Sequence, residues 1–214
     1  MRSRGRFITL EGGDGTGKST QARRLADRLR GTGHDVVLTR EPGGSPAAEA
    51  IRSLLLDGTV APFGPWAEAL FFAVARADHM NRTIRPALAD GRWVVSDRFM
   101  DSTRAYQGAA GVPRAEIDRL EWVAVGEDRP DLTLILDLPA ELGLRRAVAR
   151  GAVVDRYESD ALAIHEARRA AFMAIAAAEP ARCSVVDASG DEDTVAAAID
   201  AAVEERLGMD MAER

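Results

Sequence analysis

Residues 12–19 read Gly12-Gly13-Asp14-Gly15-Thr16-Gly17-Lys18-Ser19 and fit the pattern G-x-x-x-x-G-K-S/T. A strand-like run, Phe7-Ile8-Thr9-Leu10, precedes them, and a helix-like run over 19–30 follows. The segment is therefore a Gly-rich loop that hands a buried strand to a helix. Glycines let backbone N–H groups converge on an anion without Cβ obstruction. The positive N-terminal end of the helix adds to that attraction. In such a cradle, running from Gly12 to Thr20, Lys18 supplies a mobile charge for the β- and γ-phosphates of a nucleoside triphosphate, and Ser19 a hydroxyl for Mg²⁺. A plain Gly-rich turn is the bland alternative; the full pattern and both flanks disfavour it.

Short apolar runs at 7–10, 35–39, 93–96, 132–137 and 183–187 have the look of buried parallel strands. Helical patterns separate them, at 19–30, 46–56, 65–85, 113–125, 139–150, 159–178 and 191–207. The third is expected to stop or kink at Pro86. This alternation, with the loop after the first strand, predicts an α/β three-layer sandwich of the phosphate-loop type, a five-stranded parallel sheet covered on both faces. The whole chain, 1–214, reads as one domain, with a small helical lid over 145–158. Ligands in such folds sit beyond the carboxyl ends of the strands. The loop, Arg40-Glu41 and Asp97-Arg98 each follow a strand and should converge there.

The net charge of −6 argues against a general nucleic-acid surface, so cations for an anionic ligand must be placed locally. No stretch reaches the length of a membrane span, and the basic start, Arg2 to Arg6, leads into no apolar run. The expectation is a cytoplasmic protein with no membrane partner. The single cysteine, Cys183, lies in a predicted strand and reads as a small buried hydrophobe.

A phosphate loop alone does not separate a GTPase, an ATPase and a small-molecule kinase. Thr39-Arg40-Glu41-Pro42-Gly43-Gly44 closes the second strand with a cation, a carboxylate and a sharp turn. Arginine suits bidentate grip of a phosphate, against the bland reading of Arg40 as a salt bridge to a helix. Asp97 stands where an acidic residue meets Mg²⁺, and Arg98 offers a second clamp between two phosphates. The octet 101–108, with Thr103, Tyr106 and Gln107, mixes hydroxyls, an amide and a ring, which suits a nucleobase and sugar. Phe72 and Arg76 are spaced i, i+4 on one helix face, where a ring can stack on a base beside a cation. Taken alone, Phe72 reads as core. Arg145, Arg146, Arg150 and Arg156 cluster around a break between helices, either a solvated charged face or an arginine-bearing lid.

Together these residues resemble the bacterial thymidylate kinases of the nucleoside monophosphate kinase group. The carriers are Glu11 to Thr20, Thr39 to Gly44, and Asp97-Arg98 with Ala105-Tyr106-Gln107-Gly108. The resemblance implies transfer of the ATP γ-phosphoryl to dTMP with Mg²⁺, the metal at Ser19 and Asp97. It places Asp14 against the acceptor sugar and phosphate, Arg40 and Arg98 on that phosphate, and Glu41 beside them. Phe72 stacks on thymine; Arg76, Thr103 and Gln107 line its polar edge, with Arg52 as a neighbour. Tyr106 lies where a 2′-hydroxyl would project. Lys18, Asp14, Arg40, Arg98, Arg150 and Arg156 form the catalytic set, the last two from the lid, with Arg146 next. Gly15 stands where one branch of the family has an arginine, and Val148 where some relatives have another lid arginine. Relatives have a cis bond at the position of Glu41-Pro42, and they form homodimers through long helices. The other readings are a kinase for another nucleoside monophosphate and a nucleotide-binding switch. A guanine-reading N-K-x-D segment is missing from the sequence.

Overall fold

The structure, a computed structural model, describes residues 4–149, 157 and 160–211. Its strands are β1 (Phe7–Glu11), β2 (Val36–Arg40), β3 (Trp93–Asp97), β4 (Leu132–Asp137) and β5 (Cys183–Asp187). All pair in parallel, in the order β2-β3-β1-β4-β5. Each strand expected from sequence is present. The helices are α1 (Lys18–Gly31), α2 (Pro46–Leu56), α3 (Gly64–His79), α4 (Arg85–Ala89), α5 (Met100–Ala109), α6 (Arg114–Val125), α7 (Ala140–Ala149), α8 (Leu162–Ala178) and α9 (Glu192–Leu207).

Alternation along β1 explains the layers. Ile8 and Leu10 turn to one face, against Ala22, Leu25, Ala26 and Leu29 of α1 and Val195, Ile199 and Val203 of α9. Phe7 turns to the other face, against Met80, Ile84, Leu88, Phe99 and Val125. Beside it, Tyr106, Ile135, Phe172 and Ile175 join α5 and α8 to the sheet. Burying one such aliphatic or aromatic side chain contributes about 1.5–3 kcal/mol, so the two faces hold the sheet edge rigid.

Two segments differ from the sequence reading. The chain does not leave helical geometry at Pro86. A π-helical turn, Met80–Ile84, shifts the register so that Arg85 N donates to Met80 O, and Pro86 falls in the first turn of α4, where its missing N–H costs little. The polar octet near 101–108 is the helix α5, nearly all of it buried, so it shows no clear apolar stripe.

Candidate active site

Register brings the site together. Leu10 pairs with Asp97 across β1 and β3, and Asp97 with Arg40 across β3 and β2, so the three strands end in one line. Above that line lies a cleft of about 740 Å³. It is lined by the loop residues from Asp14 onward, by Arg40, Glu41 and Arg52, by Phe72 and Arg76, and by Asp97, Arg98, Thr103, Tyr106 and Gln107. The volume is that of a site for small molecules.

The loop is shaped by close backbone approach. A Cβ on Gly15, whose φ is 74°, would lie 1.9 Å from Gly143 O. A Cβ on Gly143 would in turn lie 2.4 Å from Asp14 O. This contact with α7 explains why position 15 is glycine here and leaves no room for a donor-side arginine. Lys18 Nζ donates to Gly13 O at 2.6 Å, arching over the loop. Burial first, then the neighbouring Arg98, push the Lys18 ammonium down to about 8. Ser19 Oγ donates to the Asp97 carboxylate, so the two oxygen ligands expected for Mg²⁺ are in contact. Hard oxygen donors of this kind fit Mg²⁺, which keeps most of its waters and takes few protein ligands.

Arg98 is the hub. Its φ is 68°, the only positive value at a non-glycine among the described residues, a conformation that persists only where surroundings enforce it. The enforcement comes from Glu11, buried at the end of β1, which accepts from Phe99 N at 2.8 Å and from Ser102 N at 3.1 Å. Arg98 Nη1 donates to Gly12 O at 3.2 Å, and Nη2 to Asp14 Oδ1 at 2.6 Å and to the Tyr106 hydroxyl oxygen at 3.1 Å. The Tyr106 hydroxyl donates to Asp14 Oδ2 at 2.9 Å. Burial pushes the Asp14 carboxyl up, but Arg98 and Lys18 outweigh it and hold it below its ordinary value. Behind this group, His165 Nδ1 lies 3.7 Å from Asp14, and the Arg168 guanidinium lies 4.3 Å from the Tyr106 ring centre.

The opposite wall carries the second set. Arg40 pairs with Glu49 of α2 at 3.0 Å, so the helix salt bridge is formed; both side chains are about half exposed, at 52% and 42%. An exposed pair of this kind is worth little and yields readily to a phosphate. Glu41, joined to Pro42 by a cis bond, accepts from Arg76 Nε at 2.7 Å and from His79 Nδ1 at 3.0 Å. Arg76 also donates to Thr103 Oγ1 at 3.1 Å, and Arg52 donates to Pro42 O at 2.7 Å. Gln107 Nε2 donates to buried Glu68 at 3.2 Å. Phe72 is half-buried beside Tyr157, ring centres 6.5 Å apart.

At the far end, Arg146 donates to Ala188 O at 2.7 Å, Ser189 O at 2.8 Å and Gly190 O at 3.2 Å, fixing the loop after β5 as a cleft wall. Arg145 pairs with Glu141 on the solvent face, as the bland reading has it. Arg150 and Arg156 lie outside the described residues, as does most of the expected lid. Cys183 is buried.

Sequence reasoning passes over Glu68, Gly143 and Arg168, and gives no role to His79 or His165. The structure makes both histidines neighbours of site carboxylates. A carboxylate one turn before Phe72, in the apolar first half of the helix, was the available signal for Glu68.

Comparison with known proteins agrees with this geometry. The family model described as thymidylate kinase matches residues 10–199. The thymidylate kinase of Caulobacter vibrioides is 56% identical over 208 residues, covering 97% of this chain and 100% of that one. That of Bradyrhizobium diazoefficiens is 53% identical over 207 residues, covering 95% and 91%. The crystal structure of thymidylate kinase from Ehrlichia chaffeensis superposes with a TM-score of 0.77 at 31% identity, over 94% of this chain and 99% of that one. With a phosphate loop, a facing cleft wall that carries Arg40, Arg52 and Arg76, and relatives of this identity over nearly its full length, the chain belongs to the thymidylate kinase family of nucleoside monophosphate kinases.

Proposed function

We propose that the protein transfers the γ-phosphoryl group of ATP to dTMP, giving dTDP and ADP. One observation carries this reading: Arg98 is hydrogen-bonded to the phosphate loop at Gly12 and Asp14, while Arg40, from the end of β2, lines the same cleft. Two anion sites therefore face each other.

In this reading the loop N–H groups and Lys18 hold the donor phosphates. Arg40 and Arg98 hold the acceptor phosphate with one oxygen in line with the γ-phosphorus. That oxygen forms the new P–O bond as the bond to the β-phosphate oxygen breaks, and the leaving pair stays on ADP. Such transfers gain most of their rate from positioning and charge stabilisation, so no strongly basic group is required. Mg²⁺ bound at Ser19 and Asp97 would offset charge on the donor phosphates. Phe72 stacks on the base, with Arg76, Thr103 and Gln107 at its polar edge and Arg52 nearby. The Tyr106–Asp14 pair fills the space beside the sugar where a 2′-hydroxyl would project. Arg150 and Arg156 complete the catalytic set from the lid, excluding water that would otherwise accept the phosphoryl group.

The protein acts as a homodimer in the cytoplasm. Trp66, Leu70 and Val74 form an exposed i, i+4, i+8 stripe on α3, and Trp122 and Val123 are exposed on α6, which packs against α3. Among the described residues no helix is long and apolar enough to cross a membrane.

A coupled ADP-release assay across dTMP, dUMP, dCMP, dGMP and AMP tests the reaction. dTMP should give the highest kcat/KM. A better substrate among the others would overturn the base assignment, and ADP release indifferent to every monophosphate would overturn the kinase reading.

A further inference from the structure

Glu68 is buried in α3, one helical turn before Phe72, and stands behind Gln107 rather than in the cleft wall. It accepts from Gln107 Nε2 at 3.2 Å and from the Tyr157 hydroxyl at 3.1 Å. These bonds decide an orientation. A carboxylate only accepts, whereas a primary amide has a donating and an accepting end. Against Glu68, Gln107 can present only its NH₂. Its Oε1 is thereby kept for something else, and that atom is buried with no hydrogen-bond partner. Buried acceptors without a donor are uncommon in folded proteins. This one belongs to a residue that lines the cleft beside Phe72, Arg76 and Thr103.

We propose that Glu68 is the positioning residue that sets base choice: it locks the Gln107 amide so that Oε1 accepts a ring N–H from the bound base. A pyrimidine-2,4-dione, thymine or uracil, carries that N–H. Cytosine has an unprotonated acceptor nitrogen at the same place, and its lone pair would meet the lone pairs of Oε1. A site built to receive one hydrogen bond rejects an analogue lacking the donor far more strongly than a pocket rejects a missing methyl. Glu68 thus acts on selection between pyrimidines without touching substrate. The inference rests on the reading of this cleft as the dTMP site.

The test measures kcat/KM for dTMP and dCMP at saturating ATP in the full-length protein, for wild type, Glu68→Gln, Gln107→Met and the double variant. Glu68→Gln keeps the shape but lets either end of the Gln107 amide face it. It should lower the dTMP:dCMP ratio at least about tenfold, mainly through KM for the monophosphate, with KM for ATP unchanged. Gln107→Met should lower the same ratio by itself, and adding Glu68→Gln to it should change the ratio no further. An unchanged ratio in either single variant overturns the proposal. So does an equal effect of Glu68→Gln with and without Gln107, which would make Glu68 merely structural. If Glu68→Gln does not fold, an unchanged ratio in Gln107→Met still refutes the proposed acceptor. Wild-type protein that does not prefer dTMP overturns the cleft assignment itself, and the proposal with it.

Discussion

Replacing Arg98 by alanine removes the one side chain that spans the phosphate loop, Asp14 and Tyr106, and its two consequences can be separated. The first is stability. Arg98 and Asp14 are 20% and 9% exposed, so deleting the guanidinium strips a nearly buried carboxylate of its bonded cation and leaves it only the Tyr106 hydroxyl and the more distant His165 and Lys18. Breaking a buried pair from one side costs about 3–5 kcal/mol, and the residual exposure of Arg98 puts this case near the lower end, about 3 kcal/mol. For a chain of this length that lowers the melting temperature by about 6–12 °C. The second is turnover: an arginine on the transferring group is worth about 10³-fold or more. Adding Asp14→Asn removes the stranded charge and should return about half of the lost stability while turnover stays low. Urea melts and the coupled ADP-release assay read the two effects on the same samples. Arg98→Ala protein with turnover within tenfold of wild type would refute the role of Arg98. No recovery of stability in the double variant would refute the pairing argument.

Lys18→Ala should fold as wild type yet lose orders of magnitude in turnover; near-normal turnover would remove Lys18 from the donor site. Because burial holds Lys18 near 8 in the free protein, part of its charge is lost as pH rises past that value. Triphosphate favours the charged form, so ATP affinity should fall with increasing pH above about 8, with proton uptake on binding. Calorimetry in buffers of different ionisation enthalpy detects that uptake, and its absence would contradict the buried-lysine account. Val123→Asp, placed at an 82% exposed apolar position on α6, should convert a sedimenting dimer to monomer. A wild-type protein that sediments as a monomer would contradict the proposed dimer face. dUMP should be phosphorylated, but less efficiently than dTMP by the worth of one methyl, about 1–3 kcal/mol; equal efficiency would show that the pocket does not contact the methyl.

What could be read along the chain was what short-range pattern encodes. The inner strands β1, β3 and β4 are buried along most of their length and therefore appear as mainly apolar runs, and the loop motif names its own flanks. The helix α5 was harder, because Asp101, Thr103, Arg104 and Gln107 are polar yet buried, and burial on all sides erases the amphipathic period. Pro86 misled because a π-turn five residues long re-registers the helix before it, a device with no local signature. The site divides the same way. Lys18, Ser19, Asp97 and Arg98 announce themselves by position after a strand. The partners that fix them do not: Glu11 reaches Ser102, Gly143 touches Asp14, and Glu68 meets Gln107, and each pairing exists only once distant segments pack.

The proposed transfer requires that donor and acceptor phosphates meet end to end in one cleft. The most direct measurement is equilibrium competition with adenosine and thymidine joined 5′ to 5′ through a phosphate chain. Such a molecule should bind more tightly than either ATP or dTMP, displace both, and lose its advantage in Lys18→Ala and Arg98→Ala alike. Displacement of only one nucleotide, or binding no tighter than that nucleotide alone, would place the two sites apart and contradict the account.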